Sequence, residues 1–374
     1  MRIAFVVNDA DTGGAQTLIE GLSRAFAASD EVHVIVLLGR GALSDRLEQA
    51  AHHVHHLGIE KRSVGALDAV RRLRALLRRI APDVVHSHLL QADLLTIFTS
   101  PRNAALVSTL HTTGMTTSDP LRSRMIGLLA GWFARVRTQR VVACGAGALA
   151  YGFRYGYPRT RLSTVDNGTE LPEAAVAGRS KAGSILTLAR WHPMKDYPNL
   201  LRAFKATLSA HPEAVLTCAG SGTNWDNQEL TRLIEEEQIP RRSLKLLGVT
   251  TEPRVIIAEA DVLVIASSYG EALPMAGIEA LAVGTPVVST DLGDCGRLTM
   301  KPEFLVPPRD PEALGRALTR VLSGSEAEYR SLQAAGREAA TRHFDIAKCA
   351  AAYYALYLDA RDELGRRRRM SVLR

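Results

Sequence analysis

The feature that most restricts this chain is a repeated alternation of short, β-branched apolar runs with segments of helical period. IAFVV at Ile3–Val7 is five apolar residues in a row with no polar alternation. A run of that kind suits a strand of a parallel sheet covered on both faces, since a half-exposed strand alternates polar and apolar residues. Gly13-Gly14 then opens a helical pattern that runs to about Phe26. Further strand-like runs follow at His33–Leu38, near His55, at Asp83–His88, Ala105–His111 and Arg140–Gly145, with an arginine-laced helix over Leu67–Ile80. Strands that alternate with helices imply βαβ units and a doubly wound sheet. The pattern breaks near Asn167-Gly168, and Leu171–Ala182 has proline, glycine, alanine and charge but no sustained period. A second series then starts with SILTLAR, AVLTCAG, SLKLLG, DVLVIAS, TPVVST and EFLVP, with helices from about Asn199, from Asn227 and over Met275–Val283 between them. The expected fold class is therefore α/β, as two tandem Rossmann-like doubly wound domains facing a cleft.

The length of 374 residues agrees, being too long for one ordinary domain and comfortable for two. The expected division is an N-terminal domain over 1–170, a linker over 171–182, a second domain over 183–343, and a C-terminal helix with a basic tail over 344–374. That helix, read as about Ile346–Leu364, is expected to pack back towards the N-terminal domain. Hydrophobic residues make up 46% and charged residues 23%, which excludes a disordered chain and supplies two cores. The longest apolar stretch, Ile126–Ala134, is far short of the ~20 residues of a membrane span. Met1-Arg2 leads straight into a strand without a secretory leader pattern, so the expected location is cytoplasmic. Cys144, Cys218, Cys295 and Cys349 are far apart, form no CxxC pair and read as buried thiols.

Net charge is +7, and residues 1–170 hold 20 basic against 14 acidic side chains, the rest 26 against 25. That bias suits an anionic partner. LRSRMIGLLAGWFARVRTQR at Leu121–Arg140 sets Trp132 and Phe133 between basic flanks and reads as a helix able to lie on an anionic membrane surface, with Arg366–Arg369 as a second contact. Aromatic residues are 5% and no nucleic-acid motif appears, so nucleic acid is not expected as a partner.

The densest chemistry lies from Leu188 to Thr290. Arg190 follows a strand and Lys195 comes five residues on, just before a helix, a layout that suits a diphosphate. Gly220 and Gly222 follow the next strand, where small residues permit a sharp turn or close backbone approach. Glu271 sits in the loop after DVLVIAS, followed by Ala272, Leu273 and Pro274. Glu279 interrupts an otherwise apolar helix. It needs either a partner such as a ribose diol or a place on an exposed strip. Asp9-Ala-Asp11 spells DxD but adjoins a glycine loop, and no metal is expected there. HHVHH at His52–His56 reads as a surface strand, with no acidic or cysteine ligand near it in the sequence.

Taken together, Gly13-Gly14-Ala15, DVVHSH, LHTT with His111, VDNGTE, the Arg–Lys segment, the GSG turn and the two glutamates eight residues apart resemble the family 4 retaining glycosyltransferases of the GT-B fold. These build lipopolysaccharide, capsule, exopolysaccharide and glycolipids. The resemblance implies sugar transfer from a UDP- or GDP-linked nucleotide sugar, a co-substrate rather than a cofactor, to a lipid-linked or surface-polysaccharide acceptor. It implies Arg190 and Lys195 on the donor diphosphate, Glu279 on the ribose, and Glu271, with Ala272 and Leu273 beside it, near the transferred sugar. It also implies Gly13 and Gly14 closing over phosphates, Gly220 and Gly222 in the donor site, His111 facing the sugar, and no metal. Retention is expected by same-face attack aided by the leaving phosphate. Ala272 and Asp196 stand where the family pattern has glycine, and Arg297 where relatives often have glutamate. A catalytically silent sugar-nucleotide-binding subunit and an epimerase of the same architecture are the rival readings.

Overall fold

The computed structural model describes residues 1–59, 66–114, 121–173, 179 and 183–372. The chain divides into two compact units, Met1–Gly168 with Ile346–Arg374 and Thr169–Asp345. Most of the predicted linker, residues 174–178 and 180–182, lies outside the described residues. Its described members, Leu171, Pro172, Glu173 and Arg179, belong to the second unit, where the Arg179 guanidinium sits 5.2 Å over the Tyr329 ring.

The first unit is built on β1 (Arg2–Val7), β2 (Glu31–Val36), β3 (His53–His56), β4 (Val84–His88), β5 (Ala105–Leu110), β6 (Arg140–Ala143) and β7 (Leu162–Thr164), ordered β3-β2-β1-β4-β5-β6-β7. Every recorded pairing in it is parallel. The continuous apolar run predicted for β1 is explained by its central place. Ile3, Phe5 and Val7 enter one core, while Ala4 and Val6 enter the other. Against the first face pack the helix Gly14–Phe26 and the C-terminal helix Ile346–Val372; against the second packs Ala66–Ile80. The C-terminal helix is tied in by two buried tyrosines. The Tyr357 hydroxyl lies 2.7 Å from His86 Nδ1, and that of Tyr353 lies 3.1 Å from Thr109 Oγ1. Burying each ring contributes roughly 1.5–3 kcal/mol, and the bonds prevent the penalty of an unpaired hydroxyl. This helix runs past Leu364, the predicted end, to Val372. Its basic last turns suit the negative end of the helix dipole, and Arg367 pairs with Glu363 one turn back.

The second unit carries β8 (Ser184–Leu188), β9 (Val215–Ala219), β10 (Leu244–Gly248), β11 (Val262–Ile265), β12 (Val287–Thr290) and β13 (Leu305–Val306), ordered β10-β9-β8-β11-β12-β13 and also parallel. Helices cover both faces, with separate cores around Phe204 and around Ile278. Strand β7 and the helices Leu90–Thr99, Ala146–Arg154, Ser44–Ala50, Pro311–Ser323 and Glu326–His343 are additional to the predicted elements. The first of these helices starts after Leu89 at φ +74 with no side-chain cap, so no start signal marks it in sequence. All four cysteines are buried and none is in a disulfide.

Candidate functional site

In both sheets the strand order reverses, between β1 and β4 and between β8 and β11. Open α/β sheets bind ligands beyond the carboxyl ends of the strands at such a point. The second unit places its charged candidates there. Arg190 lies two residues beyond the end of β8 and is exposed. Lys195 ends a short 3-10 turn, Pro193–Lys195. That turn is locked to the loop after β11, because the Ser268 N–H donates to the Met194 carbonyl at 2.8 Å. The lock carries Lys195 Nζ to the Glu271 carboxylate, where it forms an ion pair. The same carboxylate oxygen accepts from Ser267 Oγ at 2.6 Å. Glu271 is buried, which raises its carboxyl. The Lys195 charge and hydrogen bond, the Ser267 hydroxyl and the Arg190 charge outweigh burial and hold it below its ordinary range. Two cations and one carboxylate, 76 residues apart at Lys195 and Glu271, thus meet at one strand-order reversal.

The glycines have a specific task here. Gly220 has φ +146, and a Cβ on it would come within 2.4 Å of the Ala189 carbonyl oxygen. Gly222 has φ +77 and its Cβ would meet Trp191 at 2.9 Å. The GSG turn is therefore pressed against the loop that carries Arg190, and the Trp191 N–H donates to Ser221 O at 2.7 Å. Gly293, absent from the sequence candidates, does the same for Glu271. Its Cβ would lie 2.3 Å from the Glu271 carbonyl oxygen, and Asp294 N–H donates to Ala272 O at 2.7 Å. Its only signal in sequence is the turn-like DLGD after a strand, which is too common to single out. Ser267 likewise becomes a site residue only through its bond to Glu271.

Ala272 and Leu273 are buried beneath this loop, whose positive φ is taken by Gly270 at +80. Asp196 sits at φ +48 and caps the helix Tyr197–Ala210 by accepting from Asn199 N–H at 3.4 Å. A left-handed position is one glycine takes freely and aspartate tolerates, which accounts for this departure from the family pattern. Arg297 stacks 5.1 Å over the Phe344 ring. Glu279 is buried on the apolar helix Met275–Val283, so the exposed-strip reading of it is corrected.

Gly13, Gly14 and His111 belong to the other unit. Gly13 precedes the helix Gly14–Phe26 with an extended φ of −173, and a Cβ there would meet only the far end of Gln16. Gln16 Nε2 donates to Asp9 Oδ1 at 2.7 Å, and Asp11 N–H donates to the same oxygen. Asp9 is thus a brace for the glycine loop. His111 follows β5, with Nε2 2.9 Å from Nδ1 of buried His88. Burial lowers His111 to about 4 and takes His86 and His88 well below the ordinary histidine range. The end of this sheet therefore presents neutral imidazole at neutral pH.

The histidine run differs from its reading. A carboxylate does stand beside it, because β2 and β3 pair with His33 opposite His53 and bring Glu31 and His33 to His53. Sequence distance hid this contact.

A model of glycosyltransferase family 4 matches residues 12–172, and a model of glycosyl transferases group 1 matches residues 182–324. The chain is 28% identical over 296 residues to the glycogen synthase of Mycobacterium tuberculosis, covering 75% of this chain and 69% of that one. It is 27% identical over 278 residues to the phosphatidyl-myo-inositol mannosyltransferase of Mycobacterium leprae, covering 70% and 69%. Its fold matches the Anabaena HepE protein solved with UDP-glucose at a TM-score of 0.81 and 17% identity, over 96% of this chain and 100% of that one.

Proposed function

Since the chain belongs to the group 1, family 4 glycosyltransferases of GT-B fold, we propose that it moves a sugar from a UDP- or GDP-linked donor to a lipid-linked or surface-polysaccharide acceptor, with retention. The observation that carries this reading is the convergence of Arg190, Lys195 and buried Glu271 at the reversal between β8 and β11. Departure of a nucleoside diphosphate leaves negative charge on phosphate oxygens, and fixed cations in a partly dry site stabilise that charge most as it develops. Arg190 and Lys195 supply them, so the reaction needs no metal for this purpose. Glu271, already shaped by Lys195 and Ser267, takes hydroxyls of the transferred sugar. Glu279, a carboxylate buried in an apolar helix, takes the ribose diol. His111 donates or accepts as a neutral imidazole toward the sugar, and the loop at Gly13-Gly14 supplies backbone N–H groups for phosphate. The acceptor attacks the face from which the nucleotide leaves, with a phosphate oxygen taking its proton.

The relatives support the substrate classes. One is named for glycogen synthesis and another for a mannosyl lipid. The same reading takes the protein as cytoplasmic and peripheral at the inner face of the cell membrane. Among the described residues no helix is long and apolar enough to cross one. The helix Leu121–Arg137 exposes Leu128, Leu129, Trp132 and Val136 next to Arg135, which suits an anionic lipid surface.

The test is a panel of UDP-, GDP- and ADP-sugars with the purified chain, read by nucleotide release and thermal shift. Turnover of one UDP- or GDP-sugar, with the anomeric configuration kept in the product, is the expected result. Binding without turnover would assign a silent subunit, and isomerisation of the donor without transfer an epimerase. Absence of both binding and turnover refutes the reading. Flotation with anionic against neutral liposomes tests the membrane part separately, and equal recovery on both would remove it.

A further inference from the structure

The histidines of β3 take no part in either strand-order reversal, and their arrangement has its own chemistry. The pairing of β2 with β3 is parallel, with His33 opposite His53 and Ile35 opposite His55. Side chains two apart on a strand share a face, as do paired residues of neighbouring strands. Glu31, His33, His53 and His55 therefore stand together. The rings of His33 and His53 stack at 4.7 Å, and those of His33 and His55 at 5.5 Å. One donor atom each from Glu31, His33 and His53 lie within 4.8 Å of one another. We propose that these three residues bind a single divalent transition-metal ion, zinc or nickel in class, which staples the edge strand β3 to β2.

The surroundings of the three ligands are built for orientation. Arg2 Nε holds Glu31 Oε2 at 2.9 Å, leaving Oε1 turned to His33 Nε2 at 3.0 Å. The other ring nitrogen, His33 Nδ1, lies 3.2 Å from His55 Nε2. A metal that replaces the His33–Glu31 hydrogen bond at Nε2 leaves Nδ1 fixed by His55, the arrangement that orients metal-bound imidazoles. A tetrahedral ion with bonds of about 2.0–2.2 Å holds its ligands roughly 3.4 Å apart, so a closing movement of about 1 Å is required. His53 is exposed on a strand paired on one side only, and can supply it.

The ligand set selects the ion. Calcium and magnesium need several oxygen donors, and here there is one carboxylate, already paired with Arg2, while a second arginine, Arg79, acts on the neighbouring His55. Imidazole suits zinc, nickel and copper despite nearby positive charge. Three protein ligands leave the fourth position to water. Glu31 and His53 are the first residues of their strands. The site thus lies at the amino ends of this sheet, opposite the carboxyl ends where Gly13 and His111 stand, and its role is structural.

The experiment uses the full-length, untagged, metal-stripped chain, titrated with cobalt(II) and followed by visible absorption, then displaced by zinc. One equivalent with the intense bands of tetrahedral cobalt, and a melting temperature that rises with zinc, are expected. His53→Ala should abolish both responses while leaving the metal-free melting temperature in place, since that side chain is exposed. Glu31→Gln should weaken cobalt binding strongly, and His55→Gln by about 10–100-fold through loss of orientation. Cobalt binding that survives His53→Ala unchanged, or the absence of any tetrahedral spectrum in the unaltered chain, would overturn the proposal.

Discussion

The two sheets share a topology at their strand-order reversals and differ in the chemistry they set there. The second unit ends β8 and β11 in charge. Glu271 is held below its ordinary range by Lys195, Ser267 and Arg190, and the glycine turns at Gly220 and Gly293 are pressed against the backbone beside Arg190 and Glu271. The first unit ends β4 and β5 in uncharged imidazoles, buried His88 and part-buried His111, and its glycine loop is crowded at Gly13 only by the far end of Gln16. The same fold therefore carries a fixed electrostatic site in one half and a neutral hydrogen-bonding site in the other. A charged site suits a diphosphate, while a neutral one suits the hydroxyls of a sugar, which carry no charge for a cation to offset.

The difference should be most visible in acid. In the first unit His111 and His55 are lowered to about 4 from an ordinary 6.5, and His33, His86 and His88 are lowered too. The unfolded chain takes these protons first, so stability is full above about pH 6.5 and is lost as pH falls towards 4. Asp93, raised to about 8 by burial, works the other way, but it is one group against five. Each histidine contributes about 1.4 kcal/mol per pH unit against a total of about 5–15 kcal/mol for a domain. In the second unit Glu271 lies below 4.5, so its share persists until pH falls under that value. Hydrogen exchange at pH 5 should find β4 and β5 unprotected while β8 and β11 remain protected. Equal loss in both units would break the contrast.

Removing one cation from the charged site should act next most strongly. Lys195→Ala should lower turnover of the donor on the order of 10²–10³-fold, as measured by nucleotide release, whereas Asp11→Ala should change it little. Equal effects would contradict the assignment. Glu279→Gln should weaken nucleotide binding by about 10–100-fold, the worth of a charged hydrogen bond of roughly 1.5–3 kcal/mol. Calorimetry with UDP and GDP would measure it, and an unchanged affinity would detach Glu279 from the donor. The smallest contrast is between glycines. Gly220→Ala forces a Cβ against the Ala189 backbone at φ +146 and should cost roughly 1–3 kcal/mol. Gly13→Ala meets only the tip of Gln16 and should stay within about 0.5 kcal/mol. Denaturation midpoints would rank the two.

The strands of both sheets were legible because burial on both faces demands continuous apolar runs, as in Ile3–Val7, and nothing distant alters that demand. Elements without such a signature were not. The helix Leu90–Thr99 starts uncapped, and β7 is three residues long. Within the site, Arg190, Lys195, Glu271 and Glu279 could be picked out by residue type and order. Ser267 and Gly293 could not, since their significance is a contact with Glu271 rather than anything in their local sequence.

By itself the sequence determined the repeating strand-and-helix pattern, and with it two parallel sheets, because each apolar run must be buried whatever its neighbours are. Only the tertiary structure decided which side chains share an environment. It set Lys195 against Glu271, and it buried Glu279 where an exposed face was equally open to it. It also laid Glu31 beside His53 across 22 residues of chain. Burial and charge act through space, and the strand order and register that bring distant residues into one space follow from the assembled sheet, not from the spacing of residues along the chain.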